Sequence, residues 1–162
     1  MAKTPFMVTL YFRGADLKPE LITKRLKVSP TDTRRKGEQR FERHGRIYIN
    51  PTGIWALETT TTSKLLSDHI DELTSKLKKS KKINDIAGAE EIFIDVFLCF
   101  ERTKDSESYE FTLTERNIKE LDRLGLPVRF IVSSFMEGRH MQKRRQTRKK
   151  KKVPLSRSKR DS

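Results

Sequence analysis

Residues 92–100 of this chain read IFIDVFLCF, and this stretch decides what kind of fold the sequence can form. Apolar side chains occupy both sets of alternate positions, so a strand formed here is apolar on both faces. Such strands lie in the middle of a sheet rather than at its edge. Asp95 is the exception. If its face is buried, this carboxylate needs a partner and becomes a candidate site residue. An exposed face is the simpler interpretation.

Five further segments are predicted strands that supply neighbours for this central one. Residues 7–13 alternate apolar and polar side chains, as in a strand with one buried face. Residues 46–50 and 53–59 form two strands joined by an Asn-Pro-Thr-Gly turn. Residues 108–113 and 126–136 add two more strands near the end of the patterned part of the chain.

Three segments carry the apolar spacing of helices that bury one face. The first begins near a proline, which suits the first turn of a helix because its missing N–H would be unpaired there anyway. Ser63 and Thr114 are the predicted N-caps of the next two helices, and Gly125 is the predicted left-handed stop of the last one. The apolar positions are Leu17, Leu21, Ile22 and Leu26; Leu66, Ile70, Leu73 and Leu77; and Ile118, Leu121 and Leu124.

Strands and helices alternate along the chain, and short connections between strands favour antiparallel pairing with the helices on one face. The predicted class is α+β, with an antiparallel sheet and about three helices packed on one face. This is a two-layer sandwich, of which a ferredoxin-like variant is one form. We expect a globular domain at residues 1–137, large enough for one core, and a disordered basic tail at residues 138–162.

The positive charge of the chain is concentrated at its C-terminal end. Residues 138–162 hold 12 Lys and Arg against Asp161 alone, a net charge of +11. Residues 1–137 hold 24 Lys and Arg against 21 Asp and Glu, a net charge of +3, and the two parts make up the +14 of the whole chain. A folded body with a basic arm implies an acidic partner for the arm.

The basic side chains of the tail are its predicted contacts with phosphate. Arg can bind two phosphate oxygens with its planar fork, and Lys acts as a point charge. The tail has no aromatic residue to stack on a base, so we expect backbone contact with little sequence choice. The alternative is a solvated extension that aids solubility. The basic residues are Arg139, Lys143, Arg144, Arg145, Arg148, Lys149, Lys150, Lys151, Lys152, Arg157, Lys159 and Arg160.

A second basic group lies in the charged segment 31–46, which we expect to be a surface loop or an irregular strand. Phe41 could stack on a base there. Acidic residues interleave with the basic ones and dilute their field, so an ordinary solvated loop is the favoured interpretation. The basic residues of this group are Arg34, Arg35, Lys36, Arg40, Arg43 and Arg46.

The sequence shows no constellation for catalysis or metal binding. The three histidines are scattered without the spacing of metal ligands, and the glycines are not gathered in a phosphate-binding loop. Cys99 lies in an apolar strand and is expected to be an inert core thiol. We therefore expect no enzyme, no cofactor and no metal site. A single cysteine and the lack of a signal peptide indicate a cytoplasmic protein that does not insert into membranes.

A series of motifs in the body resembles a bacterial family of domains of unknown function, DUF4279. In order, they are Leu17-Lys18-Pro19-Glu20-Leu21-Ile22, Leu26, Pro30-Thr31, Lys36-Gly37-Glu38, Gly53-Ile54-Trp55, Leu65 with His69 and Leu73, and Leu121-Asp122-Arg123-Leu124-Gly125-Leu126. The resemblance covers residues 6–136. It implies no established activity, points to a bacterial or phage source, and is silent on the tail. The family pattern usually has Gly after Leu26, where this chain has Lys27, so that turn is expected to differ.

Two functions remain open from the sequence. The first is a non-enzymatic accessory protein that binds nucleic acid, RNA in preference to DNA, or another polyanion through the tail. The second is a protein-binding module, such as an immunity or anti-phage accessory factor, acting through the globular domain. Attachment of the tail to an anionic membrane would be purely electrostatic and weak, because only Met141, Val153 and Leu155 are suited to insertion.

Overall fold

The computed structural model of the chain describes residues 5–41, 45–78, 83–102 and 108–136. In this part of the chain, no helix combines the length and the apolar character needed to cross a bilayer. The strands are β1 (Phe6–Gly14), β2 (Asp32–Arg34), β3 (Gln39–Phe41), β4 (Ile47–Ile49), β5 (Gly53–Glu58), β6 (Glu91–Arg102) and β7 (Val128–Met136), and the helices are α1 (Pro19–Leu26), α2 (Leu66–Lys76) and α3 (Glu115–Leu124).

The described strands form one large sheet, in the order β2-β5-β1-β6-β7, and a separate hairpin of β3 and β4. β1 runs antiparallel to both of its neighbours, and β2 runs antiparallel to β5. The elements β1, α1, β2, β5, α2 and β6 follow the β-α-β-β-α-β order of ferredoxin-like folds. The hairpin is inserted between β2 and β5, and α3 with β7 extends the sheet beyond β6. The α+β class and the three helices expected from the sequence are confirmed.

The hydrophobic core lies between one face of the sheet and the helices. β1 directs Val8, Leu10 and Phe12 to this face, and all three are fully buried. Ile94 of β6 pairs with Leu10, and Trp55 of β5 pairs with Phe12. Burial of each such side chain contributes about 1.5–3 kcal/mol. The helices cover this face with Ile22 and Leu26, with Leu66, Ile70 and Leu73, and with Leu121 and Leu124.

The pairing of the strands differs from the expectation in three places. β7 lies parallel to β6, so the sheet is mixed rather than wholly antiparallel. The reason is the helix between them, since a helical crossover returns the chain in the same direction. Residues 108–113 form no strand. The segment predicted at 46–50 pairs with β3 in the hairpin rather than with the strand that follows it.

The helix ends confirm two of the three predicted signals. Thr114 caps α3 through a capping box with Asn117, and Gly125 ends that helix at φ 61°. The N-cap of α2 is Leu65 rather than Ser63, because the Ser63 hydroxyl accepts from the Leu65 N–H at 3.1 Å, ahead of the first turn. The predicted apolar face of α3 is also narrower than expected, since Ile118 is 55% exposed.

The turn after α1 is built with a residue that is poorly suited to it. Lys27 adopts the left-handed conformation, at φ 57° and ψ 33°, and its N–H donates to the Thr23 carbonyl at 2.9 Å. Glycine adopts this conformation without steric cost, whereas an L side chain loses about 1 kcal/mol. The turn therefore has a geometry that suits glycine and carries the strain in Lys27.

We expect Lys27→Gly to raise the free energy of unfolding by about 0.5–1 kcal/mol, because it removes the steric cost of the left-handed turn. Chemical denaturation of the full chain measures the change. Lys24→Gly, in the last turn of α1, is the matched control and should lower stability by up to about 1 kcal/mol. A Lys27→Gly variant no more stable than the parent chain would contradict this interpretation.

A single carboxylate ties the segment after β5 to α2. Glu72 accepts hydrogen bonds from the Thr60 N–H at 2.9 Å and the Thr61 N–H at 2.8 Å, and its Oε1 lies 2.5 Å from the Lys76 Nζ. Burial raises the pKa of Glu72, but the hydrogen bonds from Lys76, Thr60 and Thr61 outweigh it and lower the pKa to about 2. The ionised carboxylate thus holds the chain at the start of the crossover from β5 to β6.

The lowered pKa of Glu72 predicts a loss of stability in acid. Since the folded pKa lies below the ordinary value of 4.5, the stabilisation is complete above pH 4.5 and disappears as the pH falls to about 2. We expect Glu72→Gln to lower stability at neutral pH by about 1–2 kcal/mol, after allowance for solvent screening. Between pH 4.5 and 2, the free energy of unfolding of the variant should also depend less steeply on pH than that of the parent chain.

Denaturation curves across this pH range test the prediction. Glu115→Gln is the control, because its ion pair with Lys119 is largely exposed and contributes little. Identical pH slopes for Glu72→Gln and the parent chain would show that Glu72 does not supply this stability.

Candidate nucleic-acid interface

The twelve predicted contact residues of the tail, from Arg139 to Arg160, lie outside the described residues, as does Arg43 of the second basic group. The described part ends with β7, so residues 138–162 follow almost directly from an edge strand of the large sheet. The other five residues of the second basic group are placed by the structure.

The second basic group belongs to β2 and to the hairpin that follows it. The hairpin is anchored at its base by two hydrogen bonds, from the Gly37 N–H to the Asn50 carbonyl at 2.8 Å and from the Asn50 N–H to the Glu38 carbonyl at 3.0 Å. Beyond this base, β3 and β4 contact chiefly each other, and every residue of both strands is exposed. The segment 31–46, expected to be a surface loop or an irregular strand, thus contains β2 of the large sheet and β3, the first strand of a projecting hairpin.

The hairpin presents two chemically different faces. Arg40 pairs with Tyr48, and Phe41 pairs with Ile47. Because neighbouring residues of a strand point to opposite faces, one face carries Arg40 with Tyr48, and the other carries Phe41, Ile47 and Ile49. Phe41 is 81% exposed and Tyr48 is 44% exposed, so an aromatic ring is available to a ligand on each face.

Acidic neighbours engage part of this basic group. Arg34 forms an ion pair with Asp32 at 2.6 Å, and Arg35 forms one with Glu20 of α1. The pKa of Glu20 is lowered, first by a backbone hydrogen bond and then by Arg35. In the part of the chain that the structure describes, no ion pair involves the remaining three cations, Lys36, Arg40 and Arg46.

A cluster of rings and guanidinium groups lies on the sheet face opposite the helices. The Tyr11 and Phe93 rings are 5.4 Å apart, and the Arg129 guanidinium lies 3.8 Å from the Phe93 ring centre. Arg13 lies over both rings, at 5.2 Å and 5.1 Å. This cluster was not predicted from the sequence, although the alternation of residues 7–13 places Tyr11 and Arg13 on one face.

This open face contains two polar atoms that are buried without a hydrogen-bond partner, the Arg13 Nε and the Asp95 Oδ1. Asp95 is half-buried, so it fits neither of the two cases expected from the sequence, a carboxylate on a buried face or one on an exposed face. The strand registers place five acids on this face, Asp32, Glu58, Glu91, Asp95 and Glu101, against three cations, Arg13, Arg34 and Arg129. A face with more acids than cations does not attract a polyanion, so the hairpin is the better candidate.

The structure also places a histidine and the cysteine for which the sequence predicted no functional role. His69 is 1% exposed; its Nε2 lies 3.0 Å from the Ser63 carbonyl, which fixes the proton there, and its Nδ1 accepts from the Thr59 hydroxyl at 2.9 Å. Cys99 is half-buried and pairs with Ser133 on the open face, so its prediction as a core thiol is wrong. Among the described residues, no three His, Cys, Asp or Glu side chains come together as a metal site.

Comparison with known proteins identifies the domain and nothing further. A family model described as a domain of unknown function, DUF4279, matches residues 4–134. This range contains the whole described sheet except the end of β7, and it excludes the basic tail. No curated protein and no solved structure matches the sequence.

Proposed function

This chain belongs to the DUF4279 family, and we propose that it is a non-enzymatic accessory protein that binds nucleic acid, RNA in preference to DNA. The observation that carries the proposal is the +11 net charge of residues 138–162 beside a body of +3. Each phosphate that a Lys or Arg neutralises releases counterions, and this gives affinity without any base contact. We place the protein in the cytoplasm, in keeping with its single cysteine, and assign it no cofactor.

The hairpin supports this proposal as a second contact. Lys36, Arg40 and Arg46 can reach phosphate without first breaking an ion pair with a described residue. Tyr48 and Phe41 are exposed beside them, and aromatic side chains stack on unpaired bases at about 1–3 kcal/mol per base. Exposed bases are typical of single-stranded RNA, which is why we favour RNA over duplex DNA. The tail then supplies affinity, and the hairpin supplies the preference for unpaired bases.

The first test removes the tail. We expect deletion of residues 138–162 to weaken binding to a single-stranded RNA by at least about 100-fold at low salt, because six to ten phosphate contacts are lost. The melting temperature should stay within about 2 °C, because the core is untouched. Fluorescence anisotropy and calorimetry measure the two quantities.

A tail with the same residues in permuted order is the matched control, and it should bind as the parent does if charge alone decides. Raising salt from about 50 to 200 mM should weaken binding of the parent to the single-stranded RNA by about 300-fold or more, the value for at least six contacts with a single strand. A truncated body that binds with the parent's affinity and salt dependence would refute the role of the tail.

The second test removes charge from the hairpin. We expect Arg40→Gln with Arg46→Gln to weaken RNA binding severalfold and to reduce the slope of log K against log salt by about 1.4, the value for two contacts with a single strand. Arg116→Gln with Lys119→Gln, two exposed cations of α3, is the control with the same loss of charge and should change the slope little. Equal losses in the two double variants would mean that the hairpin is not a specific contact.

The other face of the hairpin favours the second candidate function, a protein-binding module. Phe41, Ile47 and Ile49 are 81%, 58% and 56% exposed and lie together on one face. With Arg46 next to Ile47 in the chain, this face fits a protein surface that is apolar at its centre and acidic at its rim. Stoichiometric capture of one protein that survives nuclease treatment and is lost in Phe41→Ser with Ile47→Ser would favour this function over RNA binding.

A further inference from the structure

The two edges of the large sheet are built differently. β2, at one edge, has three residues, and two of them, Asp32 and Arg34, are charged. β7, at the other edge, has nine residues, and Arg129 is the only charged one. Soluble proteins usually protect an edge strand by making it short or by adding charge, proline or a bulge. Within the part of the chain that the structure describes, the β2 edge is protected in this way and the β7 edge is not.

The backbone groups of β7 that face outward can be assigned from one hydrogen bond. The Ile94 N–H donates to the Pro127 carbonyl at 2.9 Å, so Pro127 directs its carbonyl towards β6. Successive residues of a strand direct their N–H and C=O groups to alternate sides. The even-numbered residues of β7, including Phe130, Val132 and Ser134, therefore direct these groups away from the sheet.

The side chains of the same edge are apolar on both faces of the sheet. Phe130 and Val132 lie on the face that carries the core and are 45% and 59% exposed. Ile131 and Phe135 lie on the open face and are 47% and 52% exposed. Phe111 stacks on Phe130 with the ring centres 5.9 Å apart, yet Phe130 remains 45% exposed.

We propose that β7 pairs, antiparallel, with β7 of a second copy of this chain about a two-fold axis at Val132. A two-fold axis perpendicular to the sheet keeps each side chain on its own face and requires one residue to face its own copy. Val132 is the middle residue of the strand, and its N–H and C=O point outward, so the two copies can exchange both hydrogen bonds at the axis.

The side chains of β7 complement their own copy in this register. Phe130 faces the partner's Ser134, and Ile131 faces the partner's Ser133, so each large apolar side chain lies opposite a small one. Arg129 faces the partner's Phe135, where its guanidinium can lie over the ring. No like charges oppose each other, since Arg129 is the only charge in the strand.

The basic tail is unsuited to cover the same edge. Its 12 Lys and Arg would be desolvated against apolar side chains, and no described carboxylate of β7 would compensate them. A second copy instead offers a strand of matching length and composition. Pairing produces one continuous sheet with both helical layers on the same side, and it removes the unprotected edge from each chain.

The pairing also fixes where the two tails emerge. They leave from opposite ends of the paired strands, about 30 Å apart for nine residues at 3.4 Å each. If the proposed nucleic-acid binding holds, a single RNA that spans this distance would engage both arms and gain avidity without new contacts. The dimer itself does not depend on that function.

The experiment is sedimentation velocity of the full chain after nuclease treatment, at protein concentrations up to about 100 μM. A salt concentration near 1 M shortens the Debye length to about 3 Å, which removes bridging by nucleic acid and repulsion between tails. We expect a species of twice the 19.0 kDa chain mass. Spin labels on the single cysteine, Cys99, should report a distance of about 15–20 Å across the two copies, as three strand spacings and the offset along the strands require.

Two variants test the edge in different ways. Val132→Lys places like charges at the two-fold axis, and Ser134→Pro removes an outward N–H without touching the bonds to β6. Each should raise the dimer dissociation constant at least about tenfold while the melting temperature and circular dichroism stay near the parent's. Ile118→Lys, at an exposed isoleucine of α3, is the control and should leave the dimer unchanged.

The possible results distinguish failure of the dimer from failure of the proposed function. A parent chain that stays monomeric at 100 μM overturns the inference, whether or not the tail binds RNA. A dimer that survives both β7 variants, or a label distance well beyond 20 Å, places the contact elsewhere and overturns it as well. A dimer that binds no RNA leaves the inference standing and removes the proposed function.

Discussion

The rest of the structure depends on the burial of one face of the central strands β1 and β6 beneath three helices. Leu10, Phe12 and Ile94 are fully excluded from water at this face, and their pairing fixes the register of the sheet. Since strand side chains alternate, a register that buries this set also determines what the opposite face presents. The aligned rings and guanidinium groups of Tyr11, Arg13 and their neighbours on the open face therefore follow from the packing of the core.

The charges of the molecule are separated in space. The open face of the sheet holds more acids than cations, the hairpin holds three cations without a described ion pair, and the tail carries +11. A basic segment of that size packed against the core would destabilise it by self-repulsion and desolvation. In the sequence, this charge follows the last strand and lies outside the segments that supply the buried core.

The additions to the ferredoxin-like order are the parts for which we propose partners. The inserted hairpin of β3 and β4 contributes little to the core, yet it exposes Phe41 and Tyr48 beside Arg40. The appended α3 and β7 extend the sheet and form a long edge that the described residues protect little. An element that buries little of its own apolar surface is poorly explained by stability of the monomer, and both surfaces are better explained by contacts with other molecules.

Much of this protein can be derived from its sequence, because the responsible forces act locally. The double-sided apolar run at 92–100 identified a strand inside the sheet. The N-cap at Thr114 and the left-handed stop at Gly125 bounded α3, and counting charges located the basic tail. Other features depend on which strands meet. The parallel pairing of β7, the pairing of 46–50 within a hairpin, and the cluster of Arg129 with Phe93 join residues far apart in the chain. Local pattern fixes the type of an element and its buried face, whereas only tertiary packing selects its neighbours, because that choice minimises exposed area over the whole chain.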